Sequence, residues 1–231
     1  MIVSVHATKG GVGVTTLAAS LALAERDRPV LLVDLAGDLH HALGVDPGDR
    51  PGVADWLHSD AAPAQLDQLV IDTEPGVELL PTPDRARWRA SAPESRWAGL
   101  ARWLLDRSAV DGSRVVIDAG DRPIGVGLTD ACAHRLLVTR RCYLTLRSAA
   151  QADPRPTAAV LVSEAGRSLR RADVEATLRC PVICEVAHDV ALANRIDAGL
   201  LHVGRASRSH LRALRAVWQC LESESVRSSA A

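Results

Sequence analysis

The 231-residue chain lacks several features that would place it in a class of protein at once. No apolar run is long enough to span a bilayer, and the start MIVSVHATKGG lacks the basic and apolar regions of a signal peptide. Five cysteines form an odd, scattered set, which predicts free thiols in a reducing cytosol rather than a disulfide framework. The formal net charge of −1 predicts no general attraction to DNA or membrane. We therefore expect a cytoplasmic protein.

Lysine is almost absent as well. Of the 27 lysines and arginines, only Lys9 is a lysine, and it lies in a glycine-rich segment. Because arginine is the default cation of this chain, the retained lysine indicates a position that needs a compact ammonium group, which the planar guanidinium does not imitate. Lys9 is therefore a candidate functional residue, and the alternative is a solvated loop residue retained by chance.

Apolar, β-branched runs alternate along the chain with helical patterns. Runs typical of buried strands occur at 1–6, 30–33, 77–80, 114–118, 135–139, 158–163 and 181–186. Helical stretches lie between most of them, for example at 15–25, 94–107 and 171–178. This order predicts a doubly wound α/β domain with a mostly parallel sheet flanked by helices. We expect one domain over residues 1–222 and a polar, flexible tail at 223–231.

The segment ATKGGVGVTT, residues 7–16, joins the first predicted strand to a helix. At such a junction the backbone N–H groups converge on one hollow and the helix dipole adds positive charge, so that phosphate binds there. The glycines let the backbone close tightly around a ligand. Thr15 or Thr16 offers a hydroxyl to Mg²⁺, and the spacing favours Thr15. The segment predicts a phosphate-binding loop, although Val14 stands where such a loop carries its lysine.

KGGVGVTT resembles the deviant Walker A loop of the ParA/MinD superfamily of P-loop ATPases, whose usual form is KGGxGK followed by Thr or Ser. Lys9 matches the signature lysine, which in family dimers reaches the partner's nucleotide. Val14 replaces the ordinary P-loop lysine. In LLVDLAGDLHHALGV, which is similar to the family's LLVDLDPQ segment, Asp34 matches the first acidic residue and Ala36 replaces the second. RVVIDAG resembles the Walker B strand, which implies that Asp118 holds Mg²⁺ through water.

The resemblance implies a P-loop NTPase-like fold, ATP and Mg²⁺ as cofactors, and an ATP-sandwiched homodimer. It places the nucleotide-binding residues at Lys9, Gly10, Gly11, Val12, Gly13, Val14, Thr15, Thr16 and Asp118, with Mg²⁺ at Thr15 and Asp118. Lys9 and Asp34 are the candidate catalytic residues. We expect weak hydrolysis or none, because Val14 lacks the lysine charge that neutralises the breaking bond and Ala36 lacks the aspartate that would orient or polarise water. Each lost charge-assisted contact weakens binding roughly ten- to a hundredfold.

The C-terminal segment PVICEVAHDVALANRIDAGLL resembles the CpaE/TadZ branch of the superfamily, especially its actinobacterial members. The matching residues are Pro181, Asp189, Arg195, Asp197, Ala198 and Gly199. This resemblance implies a nucleotide-responsive positioning or scaffold protein for a pilus or secretion apparatus or a septum site, with a protein partner there and a polar or septal location. Two alternatives remain open: an active ATPase switch in chromosome or plasmid partition or in cell division, with DNA or membrane binding, and a nucleotide-independent interaction module.

Two further segments each allow two interpretations. The predicted last helix, 207–221, has one apolar face that suits either a membrane surface or the sheet of the domain, and the absence of a linker favours packing on the sheet. Residues 81–95 interleave arginine and tryptophan, as nucleic-acid-binding segments do, but an exposed loop is the favoured interpretation in an arginine-rich chain.

Overall fold

The computed structural model describes residues 1–83, 92–164, 166–201 and 208–229. Its strands are β1 (Ile2–His6), β2 (Val30–Asp34), β3 (Ile71–Glu74), β4 (Val77–Leu80), β5 (Arg114–Gly120), β6 (His134–Arg140), β7 (Ala158–Ser163) and β8 (Val182–Ala187). Its helices are α1 (Val14–Ala24), α2 (Leu39–Ala42), α3 (Val53–Leu57), α4 (Glu94–Asp111), α5 (Val126–Ala131), α6 (Tyr143–Ala149), α7 (Arg171–Leu178), α8 (Val190–Asp197) and α9 (Arg208–Ser229), with a 3₁₀ turn at Pro63–Gln68.

The eight strands form one sheet in the order β3-β4-β2-β5-β1-β6-β7-β8. Neighbouring strands are parallel throughout, except that β3 runs antiparallel to β4 at the edge. Successive side chains of the central strands face opposite sides, so Val3 and Val5 join the core beneath α1 while Ile2 joins the core beneath α4. The predicted doubly wound α/β fold is confirmed, and the carboxyl ends of the parallel strands meet at one edge of the sheet.

Local sequence patterns located most of the elements. Each of the seven predicted strands is present within two residues of its predicted bounds. The strand that the sequence did not predict is β3, whose residues IDTE include three polar ones and are mostly half-buried at the sheet edge. All five cysteines, which lie in the described part of the chain, are free, as predicted. Residues 84–91 of the arginine- and tryptophan-rich segment lie outside the described residues, so its interpretation stays a prediction.

Helix α9 packs on the domain, as the sequence favoured. The apolar side chains of Leu214, Val217, Trp218 and Leu221 are buried in the core beneath α1, and the Trp218 indole N–H donates to the carbonyl of Leu21 at 3.1 Å. The helix continues to Ser229, beyond the end of the apolar pattern, because a formed helix adds further residues at little cost. No helix in the described ranges is long and apolar enough to cross a membrane.

A buried arginine fixes this helix to the centre of the sheet. Arg114, at the start of β5, forms ion pairs with Glu25 and with Glu222 of α9. Its guanidinium carbon also lies 4.3 Å from the centre of a Trp218 ring, a cation–π contact. The charge is thus paired where it is removed from water, as a buried charge requires.

Truncating Trp218 to alanine should lower the free energy of unfolding by about 3–5 kcal/mol, because the side chain is only 4% exposed and the cavity left behind cannot fully close. Tyr143→Ala is the control, since that tyrosine is 68% exposed, and we expect it to change stability by less than about 0.5 kcal/mol. Urea unfolding followed by circular dichroism measures both. Equal effects would mean that α9 does not pack on the domain in solution.

Candidate functional site

The glycine-rich loop lies at the carboxyl edge of the sheet, between buried β1 and helix α1. Gly11 and Gly13 have φ angles of 76° and 102°, a left-handed region that residues with a side chain rarely adopt. Gly13 is the N-cap of α1 and no side chain caps the helix there. The first turn of α1 therefore presents backbone N–H groups, with the positive end of the helix dipole, to the space above the loop.

A cleft of about 750 Å³ occupies that space, a volume in the range of small-molecule sites. Residues 10–17 form its floor, and the ends of the strands β5 to β8 form its walls. The structure thus brings together the predicted loop residues Gly10, Gly11, Val12, Gly13, Val14, Thr15 and Thr16 along one cleft. Asp189 and Asp197 from the C-terminal segment also line it.

Asp118, the predicted Mg²⁺ residue, is fully buried: its carboxylate lies beside Thr15 of the floor but does not itself line the cleft. It lies near the end of β5, directly opposite Asp34 of β2. One carboxylate oxygen accepts the Gly120 N–H at 3.0 Å, whereas the other, Oδ2, is buried without a hydrogen-bond partner among the described residues. Burial, followed by the charge of Asp34, raises the pKa of Asp118 to about 7, and the Thr15 hydroxyl and the Gly120 N–H act in the opposite direction.

These residues fit a magnesium ion bound together with phosphate. Thr15 supplies a hydroxyl beside the carboxylate of Asp118, whose Oδ2 has no hydrogen-bond partner in the described ranges, and Mg²⁺ takes such oxygen ligands directly or through water. Within the described ranges no cluster of three histidine, cysteine or acidic side chains could hold a metal by itself. An Mg²⁺ ion at this position would therefore depend on water and phosphate oxygens for most of its coordination.

Asp34 shapes the loop that follows β2 and does not line the cleft. Its buried carboxylate accepts the N–H groups of Gly37 at 2.6 Å and of Leu39 at 3.0 Å, and it lies 3.5 Å from Nδ1 of His40. These contacts turn the chain so that Ala36 and Asp38 face the cleft. The structure thus gives Asp34 a positioning role, and its participation in catalysis stays a prediction without a supporting contact.

The two unusual residues of the loop lie in different surroundings. Val14 is only 7% exposed, packs in the core beneath α1 and borders the cleft, so an apolar surface stands where a lysine would bring charge. Lys9 is exposed and does not line the cleft. In the described part of the chain no hydrogen bond or ion pair is found for its ammonium group. Both interpretations of Lys9, contact with a second copy and a solvated loop, therefore remain predictions.

The structure also places charged residues at the cleft that the sequence did not single out. Asp38, Asp121, Arg122 and Arg140 line it. Asp121 Oδ2 lies 3.1 Å from the position that a Cβ on Gly10 would take, so a carboxylate stands directly against the loop. The signal for these residues was their place just after the predicted strands β2, β5 and β6, since the ends of parallel strands converge on one edge.

Solved structures with a similar fold include a ParA family ATPase, cell division proteins and a plasmid partition protein. A ParA family ATPase from Chlorobium tepidum TLS aligns over 94% of this chain and 97% of its own, with 20% identity and a TM-score of 0.74. MinD in the MinC:MinD cell division protein complex of Aquifex aeolicus aligns over 94% and 95%, with 19% identity and a TM-score of 0.73. The septum site-determining protein MinD complexed with Mg-ADP from Pyrococcus horikoshii OT3 aligns over 94% and 95%, with 18% identity and a TM-score of 0.69.

At these identities the likeness establishes the fold alone, which is that of the ParA/MinD ATPases. No protein-family model matches the chain, and no curated protein sequence is significantly similar to it. The predicted P-loop NTPase-like fold is confirmed. The CpaE/TadZ branch stays a prediction.

Proposed function

We propose that this protein binds Mg·ATP in the cleft above the glycine loop and acts as a ParA/MinD-like, nucleotide-responsive positioning or scaffold protein. The observation that carries the proposal is the loop itself, with its left-handed Gly11 and Gly13, set between a buried strand and an uncapped helix start. Beside it stand Thr15 and the carboxylate of Asp118, one oxygen of which has no hydrogen-bond partner in the described part of the chain, and such oxygens suit the metal that accompanies ATP.

Each part of the loop has a distinct task in this proposal. The N–H groups at the start of α1 bind phosphate oxygens, and the helix dipole adds to the attraction. Thr15 and Asp118 hold the metal, Asp118 through water. Bound Mg²⁺ would neutralise part of the phosphate charge. In exchange, the carboxylate of Asp118 gains a positive neighbour that favours its ionised form.

Hydrolysis is proposed to be slow or absent because of two side chains. Val14 offers no charge where the bond between the β- and γ-phosphates would break, and Ala36 offers no carboxylate at the cleft. Interactions aimed at charge that develops in the transition state are the ones that accelerate the chemical step. A site that retains its binding elements and lacks these two groups is suited to sense nucleotide rather than to consume it.

The finer parts of the proposal rest on the resemblance of the sequence. A second copy would bind across the cleft, with Lys9 of each subunit reaching the nucleotide of the other, and the exposure of Lys9 supports this. The Aquifex MinD has a protein partner in its complex, and we propose a protein partner for this chain in a pilus or secretion apparatus or at a septum site. Its place of action would be the cytoplasm, at the pole or the septum.

Isothermal titration calorimetry with ATP tests the proposal, in Mg²⁺ and in EDTA. We expect wild type to bind Mg·ATP, and Thr15→Ala to weaken that binding about tenfold and to remove most of its dependence on Mg²⁺. Thr16→Ala is the matched control, because Thr16 lines the cleft but does not act on Asp118, and it should keep the dependence on Mg²⁺. Light scattering on the same samples reports whether ATP produces a dimer.

Absence of any binding of ATP by folded wild-type protein would contradict the proposal. The glycine loop would then serve the structure alone, and the chain would be a nucleotide-independent interaction module. Binding accompanied by rapid phosphate release would instead identify an active ATPase switch.

A further inference from the structure

The cleft has an excess of negative charge for a site that is to hold phosphate. The carboxylates that line it belong to Asp38, Asp121, Asp189 and Asp197. Among the described residues, the arginines that line it are Arg122 and Arg140, and Lys9 lies outside it. With Val14 in place of the usual lysine, a polyphosphate would need a cation from another element of the fold. Arg140 is in a position to supply this cation.

Arg140 reaches the glycine loop from the neighbouring strand. It is the last residue of β6, which pairs in parallel with β1, so the end of β6 stands beside the loop that follows β1. Its Nη2 donates a hydrogen bond to the carbonyl oxygen of Gly11 at 2.8 Å. The guanidinium is therefore within one hydrogen bond of the backbone that would surround the phosphates, and the side chain borders the same cleft.

The guanidinium is held by an acidic side chain and still has an unused donor. Nη1 donates to Oε1 of Glu164 at 2.7 Å, whereas Nε is buried without a hydrogen-bond partner among the described residues. A hydrogen bond from Arg167, and then the charges of Arg140 and Arg167, lower the pKa of Glu164, so this carboxylate is an anion at neutral pH. Glu164 thus places one negatively charged oxygen on the guanidinium, where a phosphate oxygen could bind, while its other oxygen accepts from Arg167.

We propose that Arg140 binds the phosphate chain of the nucleotide and supplies, from the same subunit, the positive charge that Val14 does not, with Glu164 as the anion that phosphate displaces. The inference rests on the proposed binding of nucleotide. Arginine is suited to this task because its planar fork of donors matches phosphate oxygens and stays charged at every accessible pH. The hydrogen bond to Gly11 keeps the Arg140 guanidinium beside the loop while phosphate replaces Glu164 as its anionic partner.

The competition between Glu164 and phosphate separates this role from a purely structural one. If Arg140 only held the loop in shape, breaking its pair with Glu164 from either side would weaken nucleotide binding. If Arg140 binds phosphate, removing the arginine weakens binding, whereas removing the charge of Glu164 frees the arginine and strengthens it. The two substitutions therefore have opposite signs under the proposal and the same sign under a structural role.

Calorimetry with Mg·ATP, Mg·ADP and adenosine on four variants makes the test. Arg140→Gln should weaken Mg·ATP binding roughly ten- to a hundredfold, with a smaller loss for Mg·ADP and none for adenosine. Arg140→Lys should recover part of the affinity, since it keeps the charge without the fork. Glu164→Gln should tighten Mg·ATP binding by up to about fivefold, the range expected for a partly exposed ion pair.

Arg141→Gln is the matched control. The neighbouring arginine pairs with Glu185 at 2.7 Å and does not line the cleft, so its loss should change the affinity for Mg·ATP by less than about twofold. Thermal unfolding of each variant establishes that it is folded.

Wild-type affinity in folded Arg140→Gln, or weaker binding in Glu164→Gln, would overturn the assignment of Arg140 while leaving nucleotide binding intact. No binding by wild type itself would instead overturn the proposed function, and the assignment with it. An equal loss with adenosine and with Mg·ATP in Arg140→Gln would also overturn it, because a phosphate contact cannot act on a ligand without phosphate.

Discussion

Replacing Val14 by lysine should tighten the binding of Mg·ATP roughly ten- to a hundredfold. Val14 begins α1 and borders the cleft, so the stem of a lysine can keep the apolar contacts of valine while its ammonium group enters the cleft. There it would meet the phosphates that the loop is proposed to hold, in surroundings that the four carboxylates make favourable for a cation. Calorimetry on wild type and variant gives the ratio of dissociation constants.

Val14→Met is the control for this substitution. Methionine is also long and unbranched but adds no charge. We therefore expect the affinity of this variant for Mg·ATP to stay within about threefold of wild type. Equal affinities for the lysine and methionine variants would mean that charge at this position does not reach the ligand.

Release of phosphate from ATP should become faster only when Ala36 is replaced by aspartate in addition to the replacement of Val14 by lysine. Val14→Lys alone leaves Ala36 without a carboxylate at the cleft, so we expect tight binding and little turnover. The double variant Val14→Lys/Ala36→Asp restores both groups, which act together on one transition state and therefore need not have additive effects. Fast release by wild type would contradict the proposal that these two residues impair hydrolysis.

Asp118→Asn should stabilise the protein in the absence of Mg²⁺ and nucleotide. The pKa of Asp118 is about 7 in the folded protein, above the value of about 4 for an unfolded aspartate. Between these values the folded state holds a proton that the unfolded state releases, so stability falls as the pH rises from about 4 to 7 and stays lower above that. At pH 8 we expect asparagine to add on the order of 2–4 kcal/mol to the free energy of unfolding.

Urea unfolding at pH 5 and pH 8 measures this effect, and the difference between wild type and variant is the quantity to compare. It should be about three times larger at pH 8 than at pH 5, because pH 5 lies only one unit above the unfolded pKa whereas pH 8 lies above both values. Asp72→Asn, at the exposed position of edge strand β3, is the control and should change stability little at either pH. A variant less stable than wild type at pH 8 would show that the Asp118 carboxylate is satisfied in the unliganded protein. Residues that bind a ligand commonly lower the stability of the unliganded protein in this way.

The sequence located the central elements because their signals are local. A β-branched apolar run predicts β1 wherever it packs, and glycines at 11 and 13 permit left-handed turns before any ligand is present. The edge strand β3 gave no such signal, since it has a single apolar residue and forms a strand only through pairing with β4. The apolar face of α9 is likewise compatible with a membrane surface or with the sheet, and only the burial of Trp218 in the folded protein distinguishes the two.

The sequence by itself determined that the chain folds as an α/β domain with a phosphate-type loop, and which residues of that loop depart from the usual pattern. Those facts depend on neighbours within a few positions along the chain. Only the tertiary structure decided that Asp34 holds a loop, that Asp118 is buried with one oxygen unpaired among the described residues, and that Arg140 donates to Gly11. The physical reason is distance along the chain: Gly11 and Arg140 are separated by 129 positions, and parallel pairing of β1 with β6 brings them together.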